Sequence, residues 1–111
     1  MDHLFIANRG EIAVRIIRTA QRLGVRTTLA VSDADTESLA AGMADALARV
    51  GPAPAASSYL NKEAMLEAAK NSGADAVHPG FGFLSENADF AQMVIDSGII
   101  WVGPDPETIR L

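Results

Sequence analysis

The chain has 111 residues, 49% of them apolar and 21% charged, and a formal net charge of −5 at pH 7. That length holds one domain rather than two, the composition excludes disorder, and the acidic balance argues against a general nucleic-acid binder. With no cysteine and only two isolated histidines, His3 and His78, a disulfide framework, thiol chemistry and a metal site are not expected.

Charge is unevenly spread. Arg9, Arg15, Arg18, Arg22 and Arg26 face only Asp2 and Glu11 in the first 26 residues, whereas the rest of the chain is strongly acidic. No apolar run approaches a membrane span, and the N-terminus lacks the basic head and long apolar stretch of a secretory signal. A cytoplasmic protein, or a domain of one, is the expectation, with no membrane partner.

Taken in order, Leu4 to Ala7 reads as a first strand ending in Asn8-Arg9-Gly10. From Glu11 the period becomes helical: Ile12, Ala13, Ile16, Ile17, Ala20 and Leu23 form one stripe. Glu11, Arg15, Arg18 and Arg22 form the opposite, largely basic stripe, and Gly24 stops the helix. Thr27 to Val31 is β-branched and apolar, a second strand, followed by the turn Ser32-Asp33-Ala34-Asp35. Thr36 to Ala44 reads as a helix weakened by Gly42. Ala46 to Val50 has helical propensity, yet Gly51-Pro52-Ala53-Pro54 requires an end there, so 47–50 is assigned as a short strand.

Residues 51–60 form a Pro/Ala/Ser loop long enough to need something to pack on. Asn61 caps a helix from Lys62 to Asn71, with Ala64, Met65, Ala68 and Ala69 inward, and Gly73 stops it. Asp75 to Val77 is the next strand, Ala88 to Asp96 a helix closed by Gly98, and Ile99 to Val102 a last strand. Pro106 opens a further helical turn to Leu111 with Asp105 as its cap. Strands alternating with helices predict a three-layer, Rossmann-like α/β domain with a mostly parallel sheet and helices on both faces. A helix beginning so close to Leu111 suggests a piece of a longer protein.

The most unusual connector is His78-Pro79-Gly80-Phe81-Gly82-Phe83-Leu84-Ser85-Glu86-Asn87. It joins a strand to a helix, so it belongs at the carboxyl edge of the sheet, where ligands bind in such folds. Pro79 fixes one φ, and Gly80 and Gly82 permit backbone angles closed to other residues. Glu86 and Asn87 stand where oxygen side chains cap a helix. As a plain turn, its two rings, Phe81 and Phe83, would pack under the sheet edge.

A dinucleotide site wants Gly-x-Gly-x-x-Gly after the first strand. Here the turn is Asn8-Arg9-Gly10-Glu11-Ile12-Ala13, with one glycine and a carboxylate where a phosphate would sit. Asp33 alone matches a ribose-binding position. Asp33 and Asp35 read as a solvated turn rather than an acid/base pair, and His78 as a structural histidine rather than a proton shuttle. The residues alone therefore give an edge-of-sheet binding surface without a complete catalytic set. Two further readings stay open: a free-standing small-ligand or nucleotide-binding module, and an oligomerisation module using the basic helix face.

The run Ile6-Ala7-Asn8-Arg9-Gly10-Glu11-Ile12-Ala13-Val14-Arg15-Ile16-Ile17-Arg18 resembles the opening of the biotin carboxylase family. So do Ser32-Asp33-Ala34-Asp35, Gly51-Pro52-Ala53-Pro54 with Ser58-Tyr59-Leu60-Asn61, the loop His78 to Asn87, and Gly103-Pro104 with Ile109-Arg110. The resemblance implies the pre-ATP-grasp domain of an enzyme that uses ATP, magnesium and bicarbonate to carboxylate carrier-borne biotin through carboxyphosphate. It implies as partners the ATP-grasp and C-terminal domains of the same polypeptide, a biotin carboxyl carrier domain and a carboxyltransferase. It also implies that the catalytic residues lie outside these 111 residues, so that the fragment alone binds no cofactor and is inactive.

By the same resemblance, His78, Gly80, Phe81, Gly82, Phe83, Glu86 and Asn87 form a loop facing biotin, with Phe81 where the family often has Tyr. Asn8, Arg9, Gly10 and Glu11 form the first loop, and Arg15 and Arg18 are candidates for subunit contacts. Arg22 stands where some members carry a carboxylate. Ala40-Ala41-Gly42 replaces a His-Val-Arg-like run, and Ala46 replaces an acid.

Overall fold

The computed structural model describes all residues from Met1 to Leu111. Strand β1 (His3–Ile6) leads into helix α1 (Gly10–Arg22), and β2 (Arg26–Ser32) into the short α2 (Leu39–Met43). Strand β3 (Ala46–Gly51) precedes a single 3-10 turn and α3 (Lys62–Ser72). Then come β4 (Ala76–His78), a 3-10 turn at Phe83–Glu86, α4 (Ala88–Asp96), β5 (Ile100–Trp101) and α5 (Pro106–Arg110).

The five strands run in the order β3-β2-β1-β4-β5, and every neighbouring pair is parallel. Helices cover both faces because the strands alternate their side chains between two cores. Leu4, Ile6, Leu29 and Val31 meet Ala13, Val14 and Ile17 of α1 and Ala40 and Ala41 of α2. Phe5, Ala7, Ala30 and Val77 meet Met65 and Ala69 of α3 and Phe90 and Val94 of α4. The expected Rossmann-like sheet is present, and it is parallel throughout.

Two local expectations need correction, and a third holds. The helix expected over Thr36–Ala44 begins only at Leu39, because backbone bonds from Asp35 to Ser32 and from Ser38 to Asp35 hold the preceding residues in turns. The Ser38 hydroxyl then caps α2 by accepting from the Ala41 N–H at 3.1 Å. Leu23, expected inward, is 73% exposed: α1 has already ended, and the Val25 N–H turns back to the Ala20 carbonyl at 2.9 Å. The long 51–60 connector does pack on something, since Ser58 and Tyr59 are buried, the tyrosine in the core with α3 and α4.

The caps at Asn61 and Asp105 are formed as expected, each side chain accepting from the N–H three residues on. Strand β3, assigned against its helical propensity, pairs along β2 from Ala46 to Gly51.

Candidate functional site

The chain reverses its direction of winding between β1 and β4, and the two loops leaving these strands lie side by side at the carboxyl edge. In open parallel sheets this switch point is where a ligand crevice forms. Here the side chain of Asn8 occupies it. Asn8 is 1% exposed. Its Nδ2 donates to the Pro79 carbonyl at 2.8 Å and to the Phe81 carbonyl at 2.8 Å, while its Oδ1 accepts from the Arg9 N–H at 2.8 Å. Both amide donors and the acceptor are thus engaged, as a buried amide requires.

Gly80 is needed beneath this contact. Its φ is +67°, and a Cβ there would stand 2.7 Å from Asn8 Nδ2 and 2.8 Å from Ile12 Cγ2. Gly82 and Phe83 also have positive φ, 73° and 47°. For Phe83 that conformation is sterically costly and must be held by its surroundings. Its ring lies 5.3 Å from that of Tyr59, which provides the hold.

The two loop phenylalanines therefore differ. Phe83 is half-buried on Tyr59, whereas Phe81 is 74% exposed, contrary to the expectation that both rings pack under the sheet edge. The Phe81 carbonyl is tied inward to Asn8, and the glycines on either side turn the backbone around it. His78, half-buried at the end of β4, accepts the Gly80 N–H on Nδ1 at 3.0 Å. Burial pushes its pKa below the usual histidine range. Asn87 caps α4 by accepting from the Phe90 N–H at 2.9 Å, but Glu86 is exposed and caps nothing.

Beside this loop lies a second polar cluster. Arg9 donates from Nε to Asp35 Oδ2 at 2.7 Å and from Nη2 to Oδ1 at 2.9 Å. The Tyr59 hydroxyl donates to Asp35 Oδ2 at 2.5 Å and accepts the Ser32 N–H at 3.1 Å. Asp35 is 7% exposed, so it is not part of a solvated turn as its sequence context suggests. The Arg9 hydrogen bonds, then those from Tyr59 and Ser32, hold its carboxyl down to about 2 against the desolvation that opposes them. Burial, then the Asp35 hydrogen bond, pushes the Tyr59 phenol up. Asp33, in contrast, is solvated and pairs with Arg49 at 2.6 Å.

The remaining predicted residues lie apart from this edge cluster's chemistry. Gly10 opens α1 with φ +62°, and Glu11 is exposed, 3.4 Å from Arg15 in an ordinary helical pair. Arg15 and Arg18 are exposed on α1, and Arg22, also exposed, reaches Thr19 Oγ1 at 3.2 Å. Tyr59 was not singled out as a site residue by sequence. The signal available was an aromatic residue inside an otherwise small-residue loop.

Fold and edge together define a class: a doubly wound α/β domain whose switch-point crevice is closed by a side chain and whose neighbouring loop presents an aromatic ring outward. The family described as "Biotin carboxylase, N-terminal domain" matches residues 1–109, and the chain belongs to it. The α subunit of methylcrotonoyl-CoA carboxylase from Glycine max is 52% identical over 110 residues, which are 99% of this chain and 15% of that protein. The biotin carboxylase of Haemophilus influenzae is 50% identical over 111 residues, which are 100% of this chain and 25% of that protein.

Among solved structures, the urea carboxylase of Kluyveromyces lactis superimposes with a TM-score of 0.96 at 43% identity, over 98% of this chain and 10% of that one. The biotin carboxylase domain of Hydrogenobacter thermophilus 2-oxoglutarate carboxylase, solved with MgADP, ADP and bicarbonate, gives 0.94 at 38% identity over 99% and 24%. The chain spans a quarter or less of the length of these relatives.

Proposed function

We propose that residues 1–111 act as the N-terminal domain of a biotin-dependent carboxylase subunit and form one wall of its active-site cleft. The observation that carries this reading is the exposed Phe81 ring on a backbone tied down by Asn8, at the sheet edge of a chain that belongs to this family. In this reading ATP, magnesium and bicarbonate are handled by ATP-grasp and C-terminal domains of the same polypeptide. A biotin carboxyl carrier domain delivers biotin, and a carboxyltransferase takes the carboxyl group onward. The loop His78 to Asn87 faces biotin, and the ring of Phe81 offers it an apolar surface without the hydroxyl that a tyrosine would add. Arg15 and Arg18, exposed on α1, are the candidates for contact with a second subunit.

A nucleotide-binding role for the domain by itself is disfavoured by the same geometry. The turn after β1 has the single glycine Gly10, its Asn8 side chain is engaged by the Pro79 and Phe81 carbonyls, and Glu11 adds negative charge to the first turn of α1, where a phosphate would sit.

The test is a chimera in which residues 1–111 replace the matching segment of the Haemophilus influenzae biotin carboxylase. Biotin-dependent ATP cleavage by the chimera, with none by residues 1–111 alone, is the expected result. ATP cleavage by the 111 residues unaided would overturn the assignment of the chemistry to other domains.

A further inference from the structure

The fastening of the loop is more specific than packing requires. A side chain at position 8 must supply two N–H donors to carbonyls two residues apart, and one acceptor to the Arg9 N–H. Aspartate has no donor and serine has one. Glutamine is a methylene longer in a space where a Cβ on Gly80 would already come within 2.7 Å of the amide nitrogen. Asparagine alone among these fits the site. Its reach is also long in sequence, joining the loop after β1 to residues more than seventy positions on.

What the amide holds is a loop that would not keep this shape by itself. Gly80, Gly82 and Phe83 all sit at positive φ, and Phe81 leaves its ring in solvent. An exposed apolar ring gains nothing from burial in this arrangement, so folding energy alone does not account for presenting it there. The two carbonyls bonded by Asn8 flank Gly80, and one of them is Phe81's own. The backbone that carries that ring is therefore held from the loop after β1, in addition to the bond that His78 of β4 makes to Gly80.

We propose that Asn8 is a positioning residue for the biotin step: it clamps Pro79 and Phe81 across the switch point and so aims the Phe81 ring into the cleft. This rests on the substrate-facing role of the loop proposed above. The clamp itself stands on the contacts of Asn8 and Gly80.

The experiment uses the Haemophilus influenzae chimera with free biotin as substrate, comparing Asn8→Asp and Phe81→Ala. Asn8→Asp keeps the size of the side chain and removes both donors. It is expected to raise the biotin KM on the order of tenfold, with kcat and the ATP KM within about twofold, the loss of two modest hydrogen bonds. A role in stability alone would lower the active fraction, and with it the apparent kcat, without moving KM.

Hydrogen exchange at the Gly80 amide is followed in the same proteins and is expected to accelerate in Asn8→Asp. If Phe81→Ala raises the biotin KM and Asn8→Asp does not, the clamp is overturned while the reading of the loop survives. If Phe81→Ala leaves the biotin KM unchanged, the reading of the loop fails, and with it the biotin-positioning role of Asn8. Should Asn8→Asp not fold, Asn8→Ser, which keeps one donor, takes its place. Unchanged Gly80 exchange and unchanged biotin KM in that variant would overturn the clamp as well.

Discussion

Arg9 and Asp35 meet in a two-pronged ion pair across the carboxyl edge of the sheet, one residue from the loop after β1 and the other from the turn after β2. The carboxylate is buried and also takes the Tyr59 hydroxyl, so three segments of chain converge on it. Its pKa is depressed to about 2, so the pair's contribution is complete above the unfolded value of about 3.9 and is lost as pH falls toward 2. The contribution is on the order of 2 kcal/mol at most, since the Arg9 side chain is half exposed and screened. Urea unfolding of wild type and Asp35→Asn should show a clear stability gap near neutral pH that narrows below about pH 4. A gap that does not change with pH would mean that the charge on Asp35 is not what stabilises this corner.

Gly51 and Gly42 predict opposite responses to alanine. A Cβ on Gly51 would overlap the Ser57 carbonyl oxygen, which belongs to the turn that brings Tyr59 into the core. Gly51→Ala should cost about 2 kcal/mol or more. Gly42 lies within α2 with open space where a Cβ would go, so Gly42→Ala should stabilise by roughly 0.5–1 kcal/mol. Thermal unfolding of the two variants checks both signs.

His78 predicts a second pH window. Its neutral ring accepts the Gly80 N–H, and burial lowers its pKa. The unfolded chain then takes up the proton first, so stability falls as pH drops below about 6.5 and levels off beneath the folded value. His78→Asn offers an oxygen to the same N–H and should remove this slope while retaining the bond. An NMR titration of the His78 ring reads the pKa directly, and a value at or above the ordinary one would contradict the account.

Much of the fold was legible because its signals are local. The apolar stripe of α1 is a matter of spacing along one helix, and the caps at Asn61, Asn87 and Asp105 reach only three residues. Even β3 could be placed against the helical propensity of Ala46-Leu47-Ala48, because Gly51-Pro52 demanded an end. The site was less legible because its bonds are long in sequence. Asp35 looks like a turn residue until Tyr59 and Arg9 arrive from elsewhere in the chain. Phe81 and Phe83 are alike in composition and context; which ring is left outside depends on a carbonyl bonded to Asn8. The family resemblance singled out this loop without giving the reason for its shape.

In the function proposed above, this domain supplies a wall facing biotin while the chemistry is done by other polypeptide. Steady-state kinetics of Phe81→Ala in the Haemophilus influenzae chimera, with biotin and ATP varied in turn, tests it most directly. Loss of the ring should raise the biotin KM by about tenfold and leave the ATP KM within about twofold. An equal rise in both, or a rise in the ATP KM alone, would contradict the placement of this edge beside biotin.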